Sequence, residues 1–314
     1  MAFLEQLTNF LAAAVRMATP LLIAGLGLSI AERAGMINIG AEGIMLMGAF
    51  VGYAGTRLTG SYWYGLLFAI IASTLFISLF ALVTITFKAQ QVVMGAAVNM
   101  LGAGITSVLY RMMFYDASAG AGVSGMMVES FPPMPIPLLS KIPILGPVLF
   151  SHNIIVYFGL VMVLVVAFIM NRTSVGLKII SVGEHPKAAD CLGVNVIATR
   201  YITTIISGAL MGIAGAYLSI AQTNAFGENM TGGKGFIAMA VVILGKWNPY
   251  GILAGALIFG GANSLQMTLQ NIGVQVPSNI IMMLPYVATV LAVVAVSKNR
   301  VGAPSAQGVP YEKS

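Results

Sequence analysis

Charge is what this sequence has least of. There are 15 Lys and Arg against 9 Asp and Glu in 314 residues, or 8% charged, where a soluble domain carries about 25%. So few charges cannot cover a soluble fold of this length, which excludes a cytosolic enzyme. The 58% hydrophobic content excludes a disordered chain. Cysteine occurs once, which excludes a disulfide framework, and one Cys with two His cannot build a Cys/His zinc centre. The basic residues stand singly, so the net charge of +6 does not describe a nucleic-acid surface. What is abundant is apolar length, with a mean hydropathy of +0.94. The sequence predicts a chain embedded in a membrane.

The positions of the charges divide the chain. Uncharged stretches run from Arg57 to Lys88, Lys88 to Arg111, Lys141 to Arg172, Arg200 to Glu228 and Lys246 to Lys298. A hydrocarbon core about 30 Å thick takes roughly 20 apolar residues as a helix. Each of the first four stretches therefore holds one spanning helix, and the last holds two, divided around Asn271, Gly273, Pro277 and Ser278. The pattern predicts an all-α, polytopic membrane helix bundle of about nine transmembrane helices (range about 8–10). They are expected over 10–31, 41–56, 61–87, 90–110, 151–170, 201–220, 233–247, 250–270 and 279–297. Residues 41–56 and 233–247 are short for a crossing, and either reads as a broken or re-entrant helix. Residues 1–30 lack the basic start and cleavage site of a signal peptide, so 10–31 is expected to stay as a helix.

Lys and Arg in short loops set orientation. Arg172, Lys178, Lys187 and Arg200 place 171–200 in the cytoplasm, and Lys298, Arg300 and Lys313 place the tail there. An even number of crossings must separate the two, so 201–220, 233–247, 250–270 and 279–297 all cross. Counting back puts 112–150 outside, Lys88 with Glu32 and Arg33 inside, and the N-terminus outside. The expected organisation is one transmembrane domain over 1–300, with an extracellular loop at 112–150, a cytoplasmic loop at 171–200 and a cytoplasmic tail at 301–314. The outer loop is either a docking surface or a packed lid over the helix ends.

Motifs of soluble chemistry fail one by one. The Gly-Lys pairs at 233–234 and 245–246 are followed by Gly235 and Trp247, not by the Ser or Thr of a phosphate loop. The G-x-G-x-x-G at Gly120–Gly125 follows no strand. His152 and His185 fall on opposite sides of the membrane, so no Ser–His–Asp set forms. The chain is not expected to be an enzyme, and no cofactor or metal is expected on it. Small residues four apart (Gly48/Gly52, Gly208/Gly212, Gly251/Gly255) allow close helix packing.

Two groups of polar residues stand inside the apolar chain. Asn38 and Glu42 lie where one helix ends and the next begins. They either cap and complement the new helix, or line a translocation path, since ionisable groups at membrane depth face interior cavities. Asn99, Asn263, Gln266 and Gln270 are uncharged amides, of which the last three share one helix face. They suit either a path for a neutral, hydrogen-bonding solute or bonds between helices. Arg16 is expected to snorkel.

The deciding segment is cytoplasmic: Gly176-Leu-Lys-Ile-Ile-Ser-Val-Gly-Glu-His-Pro-Lys-Ala-Ala-Asp-Cys-Leu-Gly. Pro186 suits the first residue of a helix of roughly two turns and Gly193 its stop. A short surface helix between two spanning helices can transmit a push from a soluble partner. Lys187-Ala-Ala-Asp-Cys-Leu-Gly193 resembles the E-A-A-x-x-x-G coupling motif of ABC importer permeases, with Lys in place of Glu. Gly35-Met-Ile-Asn-Ile-Gly-Ala-Glu-Gly-Ile-Met-Leu-Met-Gly-Ala, Val182-Gly-Glu-His-Pro-Lys-Ala-Ala and Gly212-Ile-Ala-Gly-Ala-Tyr resemble permeases of the branched-chain amino acid, ribose and nucleoside import family over residues 10–297. The nucleoside (guanosine-like) permeases resemble it most.

That resemblance implies ATPase-coupling residues at Gly183, Glu184, His185, Pro186, Lys187, Ala188, Ala189 and Gly193. It also implies a second permease subunit, a cytoplasmic ABC ATPase that alone uses ATP, and an extracellular substrate-binding lipoprotein, all at a cell membrane. Two other classes compete. An ion-coupled secondary transporter needs several intramembrane acids or histidines, and only Glu42 is near that role. A structural or receptor protein has no use for the amides or the surface helix. The lack of intramembrane charge pairs leans away from amino acids as solute.

Overall fold

The computed structural model describes residues 2–114, 127–137, 139–142, 144–271, 283 and 302–312. The helix expected over 279–297, the glycines at 120–125 and the tail cations Lys298, Arg300 and Lys313 lie outside the described residues. Among the described residues there are eleven α-helices and no strand. They are α1 (Ala2–Arg33), α2 (Ala41–Thr59), α3 (Tyr62–Ala81), α4 (Gln91–Phe114), α5 (Leu145–Leu149), α6 (Ile154–Arg172), α7 (Ser174–Glu184), α8 (Pro186–Cys191), α9 (Val196–Ala216), α10 (Lys234–Leu244) and α11 (Pro249–Asn271). The ends of α3 and α9 widen into π turns at Leu82–Thr86 and Tyr217–Gln222. Six of these segments are long and apolar enough to cross a membrane, so the bundle is polytopic.

α1, α2, α3 and α9 form the centre, where glycine lets backbones touch. A methyl group on Gly48 would sit 2.8 Å from the Gly212 Cα, and one on Gly208 would sit 2.2 Å from Ile77. In lipid, close approach of this kind substitutes for the hydrophobic force that water would supply. α4 packs mainly on α2, while α11 packs on α1, α10 and α6.

Contacts between helices give each its direction. Gly48 meets Gly212 and Gly52 meets Ala216, so α2 and α9 run parallel; Gly65 meets Thr56, so α3 returns. Gly27 of α1 meets Ser207, while Tyr217 Oη donates to the Arg16 carbonyl, so α1 opposes α9. Gly25 meets Ile252 and Gly260 meets Ala14, so α11 opposes α1. One end, called inner here because Lys and Arg favour it, gathers Arg33, Lys88, α7, α8, Lys246 and residues 302–312. The other gathers Arg16, Arg57, Arg111 and residues 127–153. At that outer end Phe131 is buried against Tyr62 and Trp63, and Met134 N donates to His152 O, so the described part of the loop packs as a lid.

The two short segments behave differently from full crossings. In place of a helix over 233–247, α10 has eleven residues, about 16 Å or half the hydrocarbon core. Left-handed backbone at Asn229, Gly232 and Gly233 prevents an earlier start, and left-handed Lys246 and Trp247 end it. The outer half of the crossing, residues 223–233, is not an α-helix. α2 also begins at depth. Residues 36–38 leave the inner end as irregular chain, and the Asn38 side chain reaches Met211, eleven residues or about 16 Å up α9 from Arg200.

Candidate functional site

The N-termini of α2 and α10 meet inside the bundle, and Glu42 stands where they meet. Its two carboxylate oxygens accept from Gly233 N at 2.7 Å and Gly235 N at 2.6 Å. A carboxylate there complements the positive end of α10 and two otherwise orphaned N–H groups. Glu42 lies in the first turn of α2, but the helix start it satisfies belongs to α10. A methyl on Gly235 would meet the Glu42 backbone nitrogen at 2.4 Å, so only glycine permits this approach. Lys234 adds a cation beside the pair, its Nζ donating to Thr231 O at 3.3 Å.

Asn38 and Asn99 hold the other side of this junction. Asn38 is fully buried and its Oδ1 accepts from Gly40 N at 3.0 Å. The N-cap position of α2 is Gly40, which has no side chain to cap with. Asn99 reaches across from α4: Oδ1 accepts from Gly43 N at 2.8 Å, and Nδ2 donates to Ile39 O at 2.9 Å. Both ends of this amide are engaged with backbone at the start of α2. Asn99 therefore caps α2 from a neighbouring helix.

Asn263 and Gln266 lie elsewhere. They sit half-buried on the outer part of α11 and Gln270 is exposed. The buried stripe of α11 runs instead through Ile252, Ala256, Phe259 and Ser264, whose Oγ donates to Phe10 O at 3.0 Å. α11 packs on the α1 side of the bundle and α4 on the α2 side. The structure thus brings Asn38, Glu42 and Asn99 together, but not with Asn263 and Gln266. Arg16 is exposed at the outer end.

Several residues escaped sequence reasoning. The buried Thr231 Oγ1, Gln222 Oε1 and Asn224 Oδ1 have no hydrogen-bond partner; Gln222 ends the π turn of α9, and Asn224 and Thr231 lie on the chain entering α10. Toward the outer end Phe50, Tyr53, Tyr110, Phe114 and Phe226 form a cluster in edge-to-face contact. Tyr110 Oη donates to Phe226 O at 2.8 Å. Arg111 clasps Glu228 with two bonds of 2.7 and 2.8 Å. The only sequence signal for this region was the glycine cluster Gly232-Gly233-Lys234-Gly235, legible as a failed phosphate loop but not as the partner of Glu42.

The inner face carries the surface helix. Thr173 Oγ1 caps α7 at Gly176 N, and Pro186 is the first residue of α8. Gly193, at φ +82°, takes the left-handed position that stops α8. His185, Lys187, Ala188, Cys191 and Leu192 are exposed, with Leu192 85% accessible. Ala189 is only 2% exposed and packs against the protein. Gly183 is buried against the Arg33 carbonyl, and the Glu184 carboxylate accepts from Ser305. The two alanines of the motif therefore divide the work: Ala189 seats α8, and Ala188 faces outward.

Comparison with known proteins agrees with this architecture. The chain is 38% identical to the guanosine ABC transporter permease protein NupQ of Bacillus subtilis (strain 168), over 94% of both chains. It is 34% identical to the nucleoside ABC transporter permease protein NupC of Lactococcus lactis subsp. cremoris, again over 94% of both. It is 37% identical to the putative glucose ABC transporter permease protein TsgC13 of Haloferax volcanii, over 89% of this chain and 82% of the relative. No solved structure matches. The permease component of the branched-chain amino acid transport system, as a family, matches residues 10–294, and the chain belongs to that family.

Proposed function

We propose that the chain is a permease subunit of an ATP-binding cassette importer in the cell membrane, and that its solute is a nucleoside. The observation that carries this reading is α8, a two-turn helix seated by Ala189 and presenting Lys187, Ala188 and Leu192 away from the bundle. Such a helix fits a groove on a cytoplasmic ATPase, which supplies ATP hydrolysis as a separate subunit. An extracellular lipoprotein delivers the solute to the outer lid. A second permease covers part of the apolar surface that α3 and α4 present, including Leu75, Met100 and Val108.

The relatives named for guanosine and nucleoside transport support the solute. Chemistry agrees with them. The unpartnered Thr231 hydroxyl and the Gln222 and Asn224 amide oxygens suit a neutral solute rich in donors, and the adjacent rings suit a base. The relative named for glucose makes a sugar the second reading. The test is uptake of labelled guanosine and labelled glucose in cells expressing the chain with its neighbouring subunits. Guanosine uptake is expected, and Thr231→Val should reduce it while the complex still assembles. Asn263 and Gln266 serve as the comparison: if they line the path in the assembled pair, Gln266→Leu lowers uptake as well. Glucose uptake without guanosine uptake would overturn the nucleoside reading.

A further inference from the structure

Residues 302–312 cross the inner face and bond to four separate parts of the bundle. Ser305 donates through N and Oγ to Glu184 Oε2 at 3.2 and 2.8 Å, and Ala306 N donates to Gly183 O at 2.9 Å. Gly308 N donates to Gly35 O at 3.0 Å, and Arg200 Nη1 donates to Val309 O at 2.9 Å. Lys88 pairs with Glu312 at 3.0 Å. The deepest contact is Gln307, whose Nε2 donates to Glu32 Oε2 at 3.2 Å. The same oxygen accepts from the Trp247 indole.

The exposed Lys88–Glu312 pair contributes little, and a segment held by it alone would be ornamental. The others are not of that kind. Two are backbone-to-backbone bonds to the segments flanking α8 and α2, and one reaches a carboxylate that is 3% exposed. Trp247 and Lys246 form the left-handed bend at the inner end of α10, so Gln307 touches the same oxygen that anchors this half-helix. α10 is not among the helices that α7 and α8 chiefly pack against. The segment reaches it through Glu32, in the last turn of α1, whose carboxylate holds both Gln307 and Trp247.

We propose that residues 302–312 are a strap that carries movement of the coupling helix to the half-helix α10. The route runs from α8 through Glu184 and Gly183 to Ser305 and Ala306. It continues from Gln307 to Glu32 and Trp247, and along α10 to the two N–H groups held by Glu42. A rigid eleven-residue helix displaced at its inner end moves at its outer end, where Thr231 and Glu42 lie. The inference rests on the reading of α8 as the helix that the ATPase contacts. The end of α1 lies on both routes, because Glu32 belongs to it and Gly183 also touches Arg33 directly, so experiment must separate the path through Gln307 from the direct contact.

The test uses the assembled transporter with Ser305→Ala and Gln307→Leu combined, both on the strap and outside the helices. Three quantities are read: co-purification of the ATPase, ATP hydrolysis and nucleoside uptake. If the strap transmits, the ATPase still docks and hydrolyses while uptake falls about two- to thirty-fold, the range that coupling substitutions span. Ser305→Thr, which keeps the hydroxyl, should retain uptake. Unchanged uptake would assign transmission to the direct contact of Gly183 with Arg33 and overturn the proposal. Loss of docking or of membrane assembly would overturn it too, because the strap would then be a brace. Ala188→Asp is a separate arm: if the ATPase still co-purifies with it, the reading of α8 itself fails, whatever the strap variants show.

Discussion

Asn99 shows how one side chain can do work that its sequence neighbours cannot. The N-cap position of α2 is Gly40, and a helix start buried in an apolar bundle cannot leave its N–H groups to water. The Asn99 amide supplies an acceptor for Gly43 N and a donor for Ile39 O from the adjoining helix. Asn99→Ala removes both partners, at about 1–3 kcal/mol for each buried group left unmade. Asn99→Asp keeps the acceptor but turns a carboxylate oxygen onto the Ile39 carbonyl inside an apolar bundle, so it should cost more than Asn99→Ala. Thermal unfolding of the purified, detergent-solubilised protein orders them: wild type, then Asn99→Ala, then Asn99→Asp. If all three unfold together, Asn99 is not a structural cap and a role in the path regains its place. Glu42 makes the same point with charge, since its carboxylate neutralises a helix start 191 residues away. Sequence reasoning found both residues because polarity is rare in this chain. It could not find their partners, because nothing local in a sequence marks a bond that spans such a distance.

Among the elements, the short ones carry the information. Long crossings such as α6 follow directly from the gaps between charges, because twenty apolar residues have few alternatives to a helix in lipid. The surface helix was legible too, since Pro186 and Gly193 are chemically specific start and stop signals. The half-helix α10 was legible only as a segment too short to cross, without its start or stop. Hydropathy sums side-chain polarity and is blind to the left-handed backbone at Asn229, Gly232 and Gly233 that delays its start. Nor does a sequence show which alanine of α8 is turned outward. Ala189→Asp places a carboxylate on the packed side, where an unpaired charge is costly, and should lower the amount of folded protein in the membrane. Ala188→Asp places it on the exposed side and should leave that amount unchanged while the ATPase no longer co-purifies. Membrane abundance by immunoblot and co-purification distinguish the two. Identical behaviour would mean that α8 is not oriented as described.

Taken as a whole molecule, the bundle separates charge by end, and that separation bears on how it sits in the membrane. Arg33, Lys88, Arg172, Lys178, Lys187, Arg200 and Lys246 gather at the end that carries α8 and residues 302–312, whereas Arg16, Arg57, Arg111 and Lys141 lie toward the other. Excess Lys and Arg near the ends of spanning helices remain in the cytoplasm, which supports the proposed orientation with α8 toward the compartment that holds ATP. The strap supplies an independent constraint, because its bonds to Gly183, Gly35 and Arg200 fix it to the same end as α8. Orientation is then a single binary choice for the entire chain. The native Cys191 is exposed on α8, and Glu129 is exposed on the outer lid. In intact cells an impermeant thiol reagent should leave the native protein unlabelled and should label it once the membrane is opened. With Cys191→Ser and Glu129→Cys combined, labelling should occur in intact cells. The reverse pattern would place α8 outside, beyond reach of any ATPase, and would remove the importer reading together with the strap that depends on it.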